Sequence, residues 1–158
     1  MEESTLKYWK DAGHVARRTL EAMKLELTPG KTFHEVIESA ERYIHRHGGK
    51  PAFPGTIAVN DLAAHFTTDH NVNPVEGWEG EMVLQKGDCV KIDFGVHIKG
   101  HIADNALTFE IGNGNEHTEQ IKAAKEARDA AIEMLHPGTP WYKVGQAAAQ
   151  PSLDAGFQ

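Results

Sequence analysis

Residues 91–108 read KIDFGVHIKGHIADNALT, a hydrophobic hairpin pattern interrupted by two carboxylates, Asp93 and Asp104. The alternation on either side of IKGH predicts two antiparallel strands. Lys99-Gly100 is the two-residue loop between them, because glycine tolerates the positive φ that such a turn requires. That loop sets the register: Ile98 faces His101 and Asp104 faces Gly95. Alternate residues return to one face, so Asp93 and Asp104 project together as diagonal neighbours, about 7–8 Å apart between backbones. A loop of odd length would put them on opposite faces.

The opposite face of this hairpin carries Ile92, Phe94, Val96, Ile98, Ala103 and Leu107, enough to bury against helices. The aspartate face carries Gly95 and Ala106, small residues expected to leave space there. Two ionised carboxylates on a half-buried face are costly unless a cation or hydrogen bonds compensate them. One reading is a solvated polar face, the usual place for charge on an antiparallel sheet. The other is a metal site, since hard oxygen ligands suit a divalent ion such as Mn, Fe, Co or Zn, and a carboxylate can bridge two of them. Spacing alone leaves both open.

Upstream, Leu6, Trp9, Gly13, Ala16, Leu20, Met23 and Leu27 recur at the three-to-four spacing of a helical stripe and predict a helix over residues 4–27. LTPG at 27–30 stops it. A second helix follows, with Thr32 as N-cap, Glu35 three residues on, and Phe33, Val36, Ile37, Ala40 and Ile44 facing inward. KPAFPGTIAVN at 50–60 is proline-punctuated and extended, DLAAHFTT follows, and 69–81 is polar and turn-rich, a loop before a strand that starts near Asp88. Beyond GNGN a helix is expected over about 116–135, ending at LHPG, and TPWYKVGQAAAQ begins another. The helix–Pro-Gly–helix unit recurs at an offset of 108: Pro29-Gly30 matches Pro137-Gly138, and Ala16, Ala22, Leu27, Val36, Ala40 and Gly48 match Ala124, Ala130, Leu135, Val144, Ala148 and Gly156. The expected architecture is α/β (α+β). Residues 1–113 form a first repeat of two helices and an antiparallel sheet, and 114–158 form the helical start of a second, incomplete one.

Composition narrows the function. The chain has 158 residues, 40% hydrophobic and 25% charged, the balance of an ordinary globular domain. A net charge of −7 gives no basic face for nucleic acid. No apolar run approaches the roughly 18 residues of a membrane span, and the N-terminus lacks the basic-then-apolar layout of a signal peptide. The lone Cys89 excludes an internal disulfide and a cysteine-rich zinc site, and a cytoplasmic location is expected. Of the ten histidines, His45 and His47 stand at a helix end, where the helix dipole favours them, and His117 and His136 flank a helix. No HExxH pair occurs. His65, after two alanines, reads by itself as a core histidine.

KPAFP at 50–54, AAHFT at 63–67 and KIDFGVHIKGHIADNALT at 91–108 together resemble, in order and separation, the N-terminal half of a type II methionine aminopeptidase. The aspartate hairpin is shared across the wider creatinase, prolidase and aminopeptidase superfamily, whereas KPAFP with AAHFT narrows it to type II. The resemblance covers essentially the whole chain and implies the duplicated pita-bread fold, with two divalent metal ions (Co, Mn, Fe or Zn) in the intact site. It implies that Asp93 chelates one metal and Asp104 bridges both. It also implies that His65 lies near the scissile bond and helps bind substrate or stabilise the transition state, and that Phe53 lines the pocket for the methionine side chain.

The implied activity is removal of the initiator methionine, with nascent protein or peptide N-termini as substrate and neither membrane nor specific nucleic acid as partner. The family's other ligands, a histidine and two glutamates, belong to its second half, and nothing in residues 136–158 matches them. This chain is therefore expected to carry half a site, inactive alone or completed by a complementary C-terminal half or by self-association. A non-catalytic binding module on the same fold and a Xaa-Pro peptidase are the competing readings. Relatives that serve as binding modules generally lose the metal ligands, and KPAFP with AAHFT disfavours the second.

Overall fold

The computed structural model describes residues 3–68, 82–112 and 115–157. The loop expected over 69–81 lies outside them. Contacts divide the chain into two compact units, Met1–Asn113 and Gly114–Gln158.

The first unit begins with helices α1 (Glu3–Glu26) and α2 (Phe33–Arg46). The α2 start is a full capping box. The Thr32 hydroxyl accepts from the Glu35 backbone N–H at 3.1 Å, and the Glu35 carboxylate accepts from the Thr32 N–H at 2.9 Å. Two backbone donors that a helix N-terminus leaves unpaired are thereby satisfied. The α2 stripe is buried as its spacing predicts: Phe33, Val36, Ile37, Ala40 and Ile44.

The α1 stripe differs toward its N-terminus. Leu6 and Trp9 are 43% and 42% exposed, and the buried positions are Ala12, Val15, Ala16, Thr19, Leu20 and Met23. Trp9 lies edge-on against His101, with ring centroids 5.3 Å apart. Buried Thr19 donates its hydroxyl to the Val15 carbonyl at 2.8 Å, which satisfies a polar group inside an apolar face.

Four strands complete the unit: β1 (Lys50–Pro51), β2 (Thr56–Val59), β3 (Cys89–Ile98) and β4 (His101–Glu110). All pairings are antiparallel, and β3 is central. It pairs along its length with β4, and on its other side first with β1, at Lys50↔His97, and then with β2, at Thr56↔Asp93. The proline-rich stretch is thus one extended strand that leaves the ladder over residues 52–55 and returns. Proline cannot donate to a ladder, which suits an interrupted strand at this position.

One face of the sheet packs on the helices. Ile57, Val90, Ile92, Phe94 and Val96 are buried against Val15, Met23, Val36 and Ile44, and Ile98, Ala103 and Leu107 pack at the margin. The core closes with Leu84 and Ile111.

In the second unit, α3 (Thr118–Met134) and α4 (Trp141–Asp154) form a helical hairpin. Helix α3 starts two residues later than its periodicity suggests, with His117 at the cap and no side-chain cap bond. The 108-residue offset holds in the backbone: α2 and α4 are both 14 residues long with bounds shifted by that amount. Gly30 and Gly138 take φ +91 and +90, and Gly48 and Gly156 both take +81. Glycine alone occupies this left-handed region without strain. No helix among the described residues is long and apolar enough to cross a membrane.

Candidate metal and substrate site

The hairpin turn sets the site. Lys99 and Gly100 have φ +49 and +83, the two consecutive positive values of a type I′ turn, whose twist matches that of the flanking strands. The ladder runs Ile98↔His101, Gly95↔Asp104, Asp93↔Ala106. Asp93 and Asp104 therefore share the face turned away from the helices, one rung apart on neighbouring strands.

Asp93 is half-buried and Asp104 exposed. Burial pushes the Asp93 carboxyl above its ordinary value, and repulsion from Asp104 adds to that rise; Lys91 and then His65 oppose it. The rise comes first from burial and only second from the like charge of Asp104. A half-buried carboxylate beside a second one is the kind of group that a bound cation relieves.

Gly95, between the two aspartates on this face, is buried. The space that its missing side chain was expected to leave is filled: a Cβ there would stand 2.4 Å from Phe53 Cε1 and 2.9 Å from the Ala52 Cβ. The excursion of the chain over residues 52–55 delivers that ring, and the Ala52 N–H donates to the Gly95 carbonyl at 2.9 Å. Phe53 thus packs against Gly95 on the strand that carries Asp93, an apolar side chain on the carboxylate face. Ala106, by contrast, is exposed.

His65 is exposed rather than buried in the core, with φ +62, a left-handed conformation seldom taken by a residue other than glycine. Its segment is tied to the sheet on both sides. Before it, Lys91 Nζ donates to the Ala63 carbonyl at 2.6 Å. After it, the Ile57 N–H donates to the Phe66 carbonyl at 2.8 Å and the Thr67 hydroxyl to the Gly55 carbonyl at 2.7 Å. The Phe66 ring meets Phe33 edge-on at 6.4 Å. His65 stands close enough for its charge to be felt at Asp93.

Lys91, His97 and Thr56 also lie on the aspartate face. Lys91 and His97 follow from the same period-two count along β3 that joins Asp93 to Gly95, so their placement was readable in the sequence. His97 Nδ1 accepts from the Gly100 N–H at 3.2 Å, which braces the turn. Thr56, directly across from Asp93, depends on the β2 register, for which the sequence carries no signal. Among the described residues no group of three or more His, Cys, Asp and Glu is gathered tightly enough to hold an ion. Asp93 and Asp104 fit a divalent cation in donor type and potential, as part of a ligand set.

Comparison with known proteins points the same way. The model of metallopeptidase family M24 matches residues 7–158. A methionine aminopeptidase of Thermococcus onnurineus is 38% identical over 146 residues, covering 92% of this chain and 46% of the relative. One from Archaeoglobus fulgidus is 35% identical over 158 residues, covering 100% and 50%. The crystal structure of a methionine aminopeptidase from Rickettsia prowazekii superposes with a TM-score of 0.82 at 21% identity, over 98% of this chain and 61% of that one, a likeness of fold. The chain spans about half the length of the curated relatives it matches.

Proposed function

The chain belongs to metallopeptidase family M24, and on that premise we propose that it serves a type II methionine aminopeptidase, releasing methionine from the N-termini of nascent proteins and peptides in the cytoplasm. The observation that carries this reading is the juxtaposition of Asp93 and Asp104 on one sheet face with the Phe53 ring laid over Gly95 between them. The 35–38% identity to proteins named methionine aminopeptidase supports it.

Asp93 and Asp104 would hold the metal, Asp93 on one ion and Asp104 between two, the ions being Co, Mn, Fe or Zn. Bound there, divalent metal supplies polarisation of the scissile carbonyl and activation of water near neutral pH. Phe53 would receive the methionine side chain, since a thioether packs well against an aromatic ring. The Phe53 wall also excludes water from the apolar end of the substrate. His65, held outside the core, would hydrogen-bond to the substrate beside the scissile bond and steady the charge that develops there.

Two carboxylates leave a divalent ion under-ligated, so the site is completed by donors additional to them. A complementary C-terminal half or a second copy of the chain would supply these, and the oligomeric state distinguishes the two.

The test is calorimetric titration with Mn²⁺ or Co²⁺ on the protein and on Asp93→Ala, with hydrolysis of a methionyl tripeptide and of an Xaa-Pro dipeptide assayed alongside. Metal binding that Asp93→Ala abolishes, with cleavage of the methionyl peptide and not of the Xaa-Pro peptide once a second copy or a C-terminal half supplies the missing donors, is the expected result. Cleavage of the Xaa-Pro peptide instead would replace methionine as the substrate, and metal binding unchanged by the substitution would remove Asp93 from the site.

A further inference from the structure

We propose that Lys91 is a positioning residue for His65: its ammonium group grips the Ala63 carbonyl and so locks the His65 segment to the strand that carries Asp93. The importance given to His65 rests on the aminopeptidase reading; the grip itself can be read without metal.

Lys91 lies on the aspartate face, two residues before Asp93, where pairing with that carboxylate would be the simplest use of a cation. Its Nζ instead stands 2.6 Å from the Ala63 carbonyl oxygen, and among the described residues no ion pair joins it to Asp93. An ammonium-to-carbonyl bond of this length is charge-assisted and stronger than a neutral one.

The position of the bond matters more than its strength. His65, at φ +62, is in a conformation that persists only where its surroundings over-determine it. The downstream bond, from the Ile57 N–H to the Phe66 carbonyl, fixes the residue just after His65. The Lys91 bond fixes the residue two before it. With both in place, the carbonyls of Ala63 and Phe66 are anchored on either side of His65, and its left-handed backbone is held between them. Without the Lys91 bond, the Ile57–Phe66 bond is left to hold the segment by itself and opens more often, and His65 can relax to negative φ. The strand that carries one candidate metal ligand thereby also sets the distance to the candidate substrate-facing histidine.

The experiment compares the unsubstituted protein with Lys91→Met, which keeps the aliphatic stem and loses the donor, and Lys91→Arg, which keeps a donor. NMR reads the His65 Cα and Cβ shifts, which report its backbone region, and the exchange rate of the Ile57 amide, which reports attachment of the segment. In Lys91→Met the His65 shifts are expected to leave left-handed values and Ile57 exchange to accelerate about tenfold, the loss of one hydrogen bond to a charged group. Lys91→Arg is expected to retain both. Shifts and exchange unchanged in Lys91→Met would overturn the proposal. So would equal losses in the two variants, which would assign the effect to packing of the lysine stem. A Mn²⁺ titration on the same samples separates the two ideas. Mn²⁺ binding by the unsubstituted protein that Asp93→Ala leaves unchanged would overturn the aminopeptidase reading, while the His65 shifts would still decide the grip.

Discussion

The Phe53 ring lies across the backbone of Gly95, so close that a Cβ at position 95 would come within 2.4 Å of its Cε1. A methyl group there can be accepted only if the ring moves, and the ring is held by a chain excursion hydrogen-bonded to Gly95 itself. Gly95→Ala is therefore expected to lower the unfolding free energy by about 1–3 kcal/mol in urea, the usual cost of overpacking. Adding Phe53→Ala should recover part of that loss, because the clash partner is gone. Strictly additive losses in this double-mutant cycle would show that the two positions do not interact.

Asp93 gives the metal-free protein a definite pH dependence. Its folded-state pKa is raised, by burial first and by Asp104 second, so the folded state binds the proton more tightly than the unfolded chain does. The benefit of the protonated form is fully present below the unfolded value of about 4 and is lost as pH rises through the folded value. At neutral pH the ionised Asp93 is consequently a net burden. Asp93→Asn should raise the melting temperature at pH 7 in the presence of a chelator, and the gain should shrink to nothing as pH falls toward about 4. A gain that grows on acidification would reverse the assigned direction.

Much of this geometry was legible because short-range chemistry specifies it. Lys99-Gly100 can close only one kind of tight hairpin, and period-two alternation then puts Asp93 and Asp104 on one face. Thr32 and Glu35 announce a capping box at the spacing the backbone donors need. What was not legible depends on where surfaces end and on which strands meet. Helical periodicity gives the direction of the α1 stripe but not the extent of the sheet beneath it: Ala16, Leu20 and Met23 are buried, while Leu6 and Trp9 at its N-terminal end stand partly exposed. The small Gly95 suggested space, and only the β1–β2 excursion reveals that Phe53 fills it. A histidine after two alanines suggested burial, whereas hydrogen bonds that tie its segment to Gly55 and to Ile57 and Lys91 on the strands hold His65 outside the core.

His65 should answer to backbone shape as well as to chemistry. At φ +62 a β-branched side chain is strained and glycine is not. His65→Val is expected to destabilise the protein by about 1–3 kcal/mol, and His65→Gly to leave stability unchanged or slightly improved. In a site completed by the missing donors, both should lose the proposed hydrolysis of methionyl peptides, because both lose the imidazole. Denaturant melts with a peptidase assay on the two variants separate strain from function; equal stabilities would show that the left-handed conformation is not maintained in solution.

Metal should invert the sign of the Asp93 effect. Without metal, the carboxylate is disfavoured by burial and by Asp104, and Asp93→Asn relieves it. With a divalent ion bound, the same carboxylate becomes a ligand, and binding to the folded state alone adds about 2.7 kcal/mol when metal is present at a hundred times its dissociation constant. The unsubstituted protein should gain that stabilisation in Mn²⁺ and the Asn variant little of it, so their melting curves should cross between chelator and saturating metal. Asp104→Asn should lose the metal gain as well if, as proposed, both carboxylates contribute to one cation site. The variant should also behave differently in chelator, since removing the Asp104 charge relieves Asp93 of its second source of elevation but leaves the first. If the ranking of the three proteins is the same with and without metal, the two carboxylates do not form a cation site, and their shared face is a solvated one.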